Sequence, residues 1–330
     1  MITFIVTTYN LEDRLLRRCL SSIVAQGLAR EHYEILVVDD ESAISPQHVV
    51  NEFATQANIA LHIQKHARQG AARNLALQYA RGEWIQFVDG DDYLLEGAVP
   101  LVLENARTLR LDLLMFGVRE VNDKVPMVHF PGIVEVAEGS VTTGDTYMKL
   151  HNLYGACWAF VFRKELLDDP QFGEPLRFTE GIYIEDEEFV TKLVWRAQRM
   201  AKTDVPVYAY YQRMDSTVHR RSAEHTDELF RNYFIVLKRL MDFEKSIGAI
   251  PHEGVVRKLR FLAVDILRRT LREPDWKKRW EHSTLQLRAL GLYPIPDAKY
   301  SCKYRAFRWL STNGVGRKIM QILETKQNKS

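Results

Sequence analysis

Short apolar runs alternate with amphipathic helical segments through the opening quarter of the 330-residue chain, and this alternation restricts the fold more than any other feature. Residues 2–8 are apolar and β-branched without polar alternation, the pattern of a strand buried on both faces. Leu11, Leu15, Leu16, Cys19, Leu20, Ile23 and Val24 then form one stripe at helical spacing. Asn10 is positioned to cap that helix, and Glu12 and Asp13 to meet its dipole. A strand over 33–39, a helix over 46–57, a strand over 59–64, a helix over 70–80 and a strand over 84–88 follow. Strands alternating with helices in this order predict an α/β fold, a mostly parallel sheet with helices on both faces.

Beyond residue 110 the pattern mixes. Residues 112–118, 156–163 and 205–212 read as strands, 119–142 as irregular, and a helix starts near Glu187. From about residue 225 the chain is helical and basic. Charge divides at nearly the same place. Residues 1–230 hold 23 Lys and Arg against 34 Asp and Glu, whereas residues 231–330 hold 22 against 9. An acidic body with a basic end predicts two parts that face different surroundings. Cys19, Cys157 and Cys302 are too far apart for a zinc site and odd in number, which points to a reducing compartment. The start carries no signal-peptide pattern, and no run reaches the roughly 18 apolar residues of a membrane span. The expected location is the cytoplasm.

In an open parallel sheet, ligands bind at the carboxyl ends of the strands. Polar residues cluster there: Thr7-Thr8-Tyr9-Asn10, Asp39-Asp40 and Asp89-Gly90-Asp91-Asp92. Gly90 permits a tight bend, so Asp89 and Asp91 can converge on one hard cation, and three adjacent acids repel unless something compensates them. Mg²⁺ or Mn²⁺ takes such oxygen ligands and bridges them to a substrate diphosphate. Small residues around Gly70 open a helix that favours an anion, with Arg73 within reach of a nucleotide. Glu185-Asp186-Glu187-Glu188 opens another helix. Taken alone it reads as a set of dipole partners; as chemistry it makes Asp186 a general base. The segment Tyr210 to Arg220 holds donors for a diphosphate in Arg213, Ser216 and Arg220, and His219 can complete a metal shell.

Together these segments resemble glycosyltransferase family 2, whose catalytic domain has the GT-A fold. The matching elements are Tyr9-Asn10, Asp39-Asp40-Glu41-Ser42, Ala72-Arg73-Asn74, Gly82-Glu83-Trp84, Asp89 to Tyr93, and Glu185-Asp186, in that order over residues 1–220. The resemblance implies a catalytic domain over 1–224, with a donor half of about 1–110 and an acceptor half of 111–224, and a basic helical region over 225–330. It implies that Thr7, Tyr9 and Asp40 hold the base, Asp40 accepting from a uracil-type ring nitrogen, and that Arg73 contacts the nucleotide. It further implies that Asp89 lies near ribose and metal, that Asp91 ligates Mn²⁺ or Mg²⁺, and that Asp186 is the base of an inverting displacement. The donor is then a nucleotide-sugar, a UDP-sugar by this motif set, and the acceptor a saccharide. The Gln-x-x-Arg-Trp motif of processive members is missing, since Gln212-Arg213-Met214 only echoes it, and a single-addition enzyme is expected. Similar bacterial enzymes build surface polysaccharides on polyprenyl-diphosphate carriers, which would put the acceptor at the inner face of the cell membrane.

Aromatic residues interleave with cations near the end of the chain: Tyr300, Tyr304, Phe307 and Trp309 with Lys299, Lys303, Arg305 and Arg308. Residues 299–323 therefore suit an anionic membrane surface, or equally a packing face on the catalytic domain or on a second subunit of a homo-oligomer. Other functions fit less well. A dehydrogenase needs a Gly-rich turn after the first strand, and Thr7 to Asn10 has no glycine. A nucleotidyltransferase forming the sugar nucleotide would carry a Gly-rich, lysine-containing loop at that point. A catalytically silent sugar-nucleotide-binding module is the remaining alternative. An acidic body without a nucleic-acid motif argues against nucleic acid.

Overall fold

The structure is a computed structural model that describes residues 1–122, 130–212, 222–250 and 252–327. The described chain divides into two compact units, residues 1–144 with 154–225, and residues 145–153 with 226–330.

The first unit is built on one eight-stranded sheet of order β3-β2-β1-β4-β7-β6-β8-β5. Its strands are β1 Ile2–Thr8, β2 Tyr33–Asp39, β3 Ile59–Ile63, β4 Trp84–Asp89, β5 Tyr93–Leu94, β6 Leu113–Val121, β7 Phe160–Arg163 and β8 Met200–Tyr211. Parallel pairing joins β3, β2, β1 and β4, and β6 to β8, while β7 and β5 run antiparallel to their neighbours. All seven residues of β1 and of β2 are buried, as expected of strands covered on both faces. The helices of this unit are α1 Asp13–Val24, α2 Gln47–Asn51, α3 Arg68–Tyr79 and α4 Ala98–Thr108. After α5 Gly144–Leu150, which passes into the second unit, come α6 Glu165–Asp168 and α7 Glu185–Arg196. The chain moves outward from β1 to β2 and β3, then returns to place β4 on the other side of β1. That reversal opens a crevice at the carboxyl ends of β1 and β4, where open α/β sheets bind ligands.

Several local expectations change. Asn10 does not cap α1; it takes a left-handed φ of 46°, and its side chain accepts the Ala43 N–H from the loop after β2. A short polar side chain tolerates that backbone, and here it ties two strand ends together. The helix expected over 46–57 is only Gln47–Asn51 before the chain turns. Residues 157–159 form a single 3₁₀ turn ahead of β7, whereas β8 begins at Met200, earlier than the pattern suggests. Residues 145–153, on the catalytic side of the expected boundary, belong to the second unit.

The second unit is helical: most of α8 Ala223–Ser246, then α9 Glu253–Arg272, α10 Trp276–Ala289, α11 Cys302–Ser311 and α12 Gly314–Gln327. Its core is the face of α9 bearing Val255, Leu259, Leu262, Ile266 and Leu267, spaced by three and four residues as burial of one helix face requires. The segment 145–153 is fastened to α9 by Asp145, which accepts the Gly254 N–H, and by the Leu153 carbonyl, which accepts from buried Lys258. No helix among the described residues is long and apolar enough to cross a membrane.

Candidate active site

The turn after β4 separates its three acids. Gly90 donates its N–H to the Thr7 carbonyl, 3.1 Å away, and a Cβ on it would lie 2.9 Å from that oxygen, so the close approach of the turn to β1 requires glycine. Asp92 points inward. Its carboxylate accepts from the Tyr208 hydroxyl at 2.7 Å and the Tyr211 N–H at 2.7 Å, and the same hydroxyl accepts the Asp89 N–H. Burial, with Asp89 and then Asp91 beside it, pushes the Asp92 pKa well up. The turn thus holds one of its three acids in the core, on donors from β8. Asp89 and Asp91 remain partly exposed, and the Asp91 carbonyl accepts from Arg18, whose guanidinium lies over Tyr93 and Tyr211.

Arg73 is buried between two carboxylates. Its Nη2 donates to Asp89 Oδ1 and its Nη1 to Glu185 Oε1, both at 2.9 Å. The planar guanidinium can span two acceptors at once, and it also lies over the rings of Phe87 and Phe178. Although burial opposes its charge, the surrounding anionic groups raise its pKa overall. One residue on, Asn74 binds the Phe178 backbone through both N–H and C=O and donates to Glu180. A Cβ on Gly70 would meet Glu185 and Thr179 at 3.0 Å. The start of α3 is therefore a seat for the segment 178–185, and Arg73 is a buried tie between strand end and helix start.

That seat positions Asp186. Ile184 just before α7 has φ 59°, a conformation that a β-branched residue avoids unless its surroundings impose it. Asp186 follows in the first turn, partly exposed. Burial, then the carboxylates of Glu185 and Glu187, push its pKa well up, against the pull of Arg73. Burial likewise raises Glu185 despite its pairing with Arg73. Glu188, which reads in sequence as a solvated dipole partner, is buried and accepts from Thr179 and Lys192. A Cβ on Gly155 would lie 2.6 Å from the Glu187 nitrogen, so this residue lets the loop before β7 close on α7.

At the ends of β1 and β2, Thr7 Oγ1 accepts from Gln69, which also donates to Asp89 Oδ1 at 2.7 Å. Tyr9 is 46% exposed with its ring stacked on His66, centroids 4.5 Å apart. Asp40 is buried, and its carboxylate takes three donors, Gln64 Nε2 and Ala67 N–H on Oδ1 and Arg68 N–H on Oδ2, with His66 Nδ1 2.9 Å from Oδ2. Those contacts set the entry to α3, where Arg68 has φ 73°. The structure thus gathers Thr7, Asp89, Arg73 and Asp186 through Gln69 and Glu185, neither of which the sequence singled out as a binding residue. The Glu-Asp pair was visible as a motif, but nothing local told which acid would be buried on Arg73. His219, with Arg213, Ser216 and Arg220, lies outside the described residues.

The donor set suits a hard cation that keeps most of its other ligands from water and substrate. No group of three or more His, Cys, Asp or Glu fit to hold a metal occurs among the described residues. Asp89 Oδ1 is already engaged by Gln69 and Arg73, leaving Asp91 as the principal candidate ligand. One or two carboxylates beside a diphosphate is the pattern by which Mg²⁺ or Mn²⁺ is commonly held.

The family model described as Glycosyl transferase family 2 matches residues 3–169, half of the chain. The chain belongs to glycosyl transferase family 2. The matched span includes the turn after β4 and the start of α3, and ends before α7. A poly(ribitol-phosphate) beta-N-acetylglucosaminyltransferase, TarS, of Staphylococcus aureus is 24% identical over 277 residues, which cover 82% of this chain and 41% of that protein. A poly(ribitol-phosphate) beta-glucosyltransferase of Bacillus spizizenii is 38% identical over 96 residues, 28% of this chain and 15% of that one. The chain accordingly spans less than two thirds of the length of these relatives. Among solved structures, residues 1–349 of TarS in complex with UDP-GlcNAc superpose with a TM-score of 0.66 at 18% identity, covering 98% of this chain and 89% of that one. A mannosyltransferase of Pyrobaculum calidifontis in complex with GDP-Man and Mn²⁺ gives a TM-score of 0.51 at 16% identity, covering 100% of this chain and 88% of that one. The fold is GT-A, with a helical C-terminal region.

Proposed function

We propose that the chain transfers a sugar from a UDP-sugar to a saccharide acceptor, inverting the anomeric carbon, in the synthesis of a bacterial cell-surface polysaccharide. One observation carries the reading: a two-aspartate turn and the seat of Asp186 are joined through the buried Asp89–Arg73–Glu185 bridge at the carboxyl edge of the sheet. The UDP-GlcNAc complex of TarS supports the choice of donor, and the poly(ribitol-phosphate) transferases support the class of acceptor.

In this reading Asp186 takes the proton of the attacking hydroxyl as its oxygen bonds to the anomeric carbon and the bond to the diphosphate breaks on the opposite face. A carboxylate whose pKa is raised by burial and like charges accepts a proton more readily, which is the property a base needs near neutral pH. Arg73 positions this base through Glu185 and holds Asp89 at the same time. Asp91, with Asp89, would hold Mn²⁺ or Mg²⁺, and the bound cation would offset charge developing on the leaving diphosphate. Thr7 and the exposed ring of Tyr9 would take the base. Asp40 would reach it as Gln64 and His66, held through their side chains, swing away. An acceptor carried on a polyprenyl diphosphate would bring the site to the inner face of the cell membrane.

The test is a panel of nucleotide sugars with Mn²⁺, read by melting temperature and by release of the nucleotide diphosphate. A cognate donor should raise the melting temperature by mass action and be turned over. Asp91→Asn should keep the fold and lose Mn²⁺-dependent turnover. Stabilisation by a donor without turnover would mark a binding module instead, and no response to any donor would refute the assignment.

A further inference from the structure

The last helix is turned inside out relative to an ordinary surface helix. On α12 the inward face carries Gly316, Met320 and Glu324, and the buried Glu324 carboxylate accepts from Arg268 and Arg272 of α9. The outward face carries Val315, Ile319, Ile322 and Leu323, between 44% and 75% exposed. Positions 315, 319 and 322 recur at helical spacing, so these side chains form one stripe. The Glu324 clamp fixes the rotation that points the stripe outward, because turning the stripe inward would break both arginine contacts. Beside it on α11, Trp309 is 68% exposed. A contiguous aliphatic stripe with an exposed tryptophan marks a contact surface rather than ordinary solvent-facing protein.

The charge around the stripe selects what contacts it. Residues 299–323 contain Lys299, Lys303, Arg305, Arg308, Arg317 and Lys318 and no Asp or Glu. Lys299, Lys303, Arg305 and Lys318 are exposed. A second copy joined across a two-fold axis would bring this single-sign surface against itself, and the cations would repel. An anionic bilayer satisfies all three features at once: lipid phosphates neutralise the cations, the interface accepts Trp309, and the acyl boundary buries the aliphatic stripe.

We propose that the outward faces of α11 and α12 form a docking surface for an anionic lipid bilayer. This goes beyond the transferase reading and does not depend on it, since vesicle binding is measured without donor or acceptor.

The experiment is co-sedimentation of the full chain with vesicles of phosphatidylglycerol in phosphatidylcholine, and with phosphatidylcholine alone. Binding is expected on the anionic vesicles and should weaken about tenfold or more as the Debye length falls from about 10 Å to about 3 Å. Ile319→Asp with Ile322→Asp should lower the partition coefficient at least about a hundredfold at an unchanged melting temperature, because both positions are exposed in the free protein. Lys303→Ser with Lys318→Ser should lose about tenfold on anionic vesicles while keeping the stripe. Three results would overturn the proposal: no binding to anionic vesicles, equal binding to neutral ones, or an aspartate pair that binds like the parent. So would a dimer that the aspartate pair dissociates without changing lipid binding, since a second copy would then cover the stripe.

Discussion

Replacing Arg73 with Met tests whether the buried bridge, rather than nucleotide contact, is the first duty of this residue. Arg73 and Glu185 side chains are 3% and 8% exposed, and Asp89 is 20% exposed. Methionine keeps much of the volume and the contact with Phe87 and Phe178, but leaves both carboxylates without their cation. Removing one partner of a buried ion pair costs about 3–5 kcal/mol. Water can partly rehydrate Asp89, so the expected loss lies near the lower end, about 3 kcal/mol. Urea denaturation of the ligand-free protein should show the midpoint falling by about 1 M, given a slope of about 3 kcal/mol per molar. The loss should also depend on pH in a defined direction. Without Arg73, the folded-state pKa of Glu185 rises further above its value in the unfolded chain. The folded state then binds more protons, so the variant loses stability as pH rises from the unfolded value through the folded one and regains it towards acid. Adding Glu185→Gln removes the more deeply buried charge and should recover part of the loss. A single variant costing less than about 1 kcal/mol, or a double variant no more stable than the single, would show that Arg73 is not a structural tie.

Asp186→Asn should lower transfer at least about a hundredfold while donor affinity, read by calorimetry with Mn²⁺, changes less than about tenfold. Because burial and neighbouring acids raise the Asp186 pKa, its ionisation costs the folded state stability as pH rises from the unfolded value through the folded one. Asp186→Asn should therefore melt higher than the parent at neutral pH and lose that advantage in acid, and an unchanged difference across pH would refute the shift. Tyr208→Phe removes the hydroxyl that donates to Asp92 and accepts from Asp89, and should cost about 1–3 kcal/mol in urea denaturation. A smaller loss would mean that Asp92 is not held by this bond.

Much of the scaffold was legible from the sequence. Unbroken apolar runs at 2–8 and 33–39 specify strands buried on both faces, and the stripe from Leu11 to Val24 specifies the helix between them. Parallel order then puts the carboxyl ends of β1, β2 and β4 on one edge, which is why Asp40, Asp89 and Asp91 could be read as neighbours from the sequence. These inferences rest on periodicity, and periodicity is a local property of the chain. The partners of charged groups are not local. Asp92 turns inward because Tyr208, 116 residues later, supplies the hydroxyl, and Arg73 pairs with Glu185, 112 residues away. Glu188 looks like a solvated acid until Thr179 and Lys192 close over it, and Asn10 looks like a cap until Ala43 supplies a better donor. On α12 composition shows an amphipathic basic helix, while its rotation is set by Arg268 and Arg272 drawing Glu324 inward. The sequence determined which elements form and which edge carries the acids. Which acids stay at the open edge and which face the core was decided by tertiary structure, because a buried charge must go where its counter-charge and hydrogen-bond donors are.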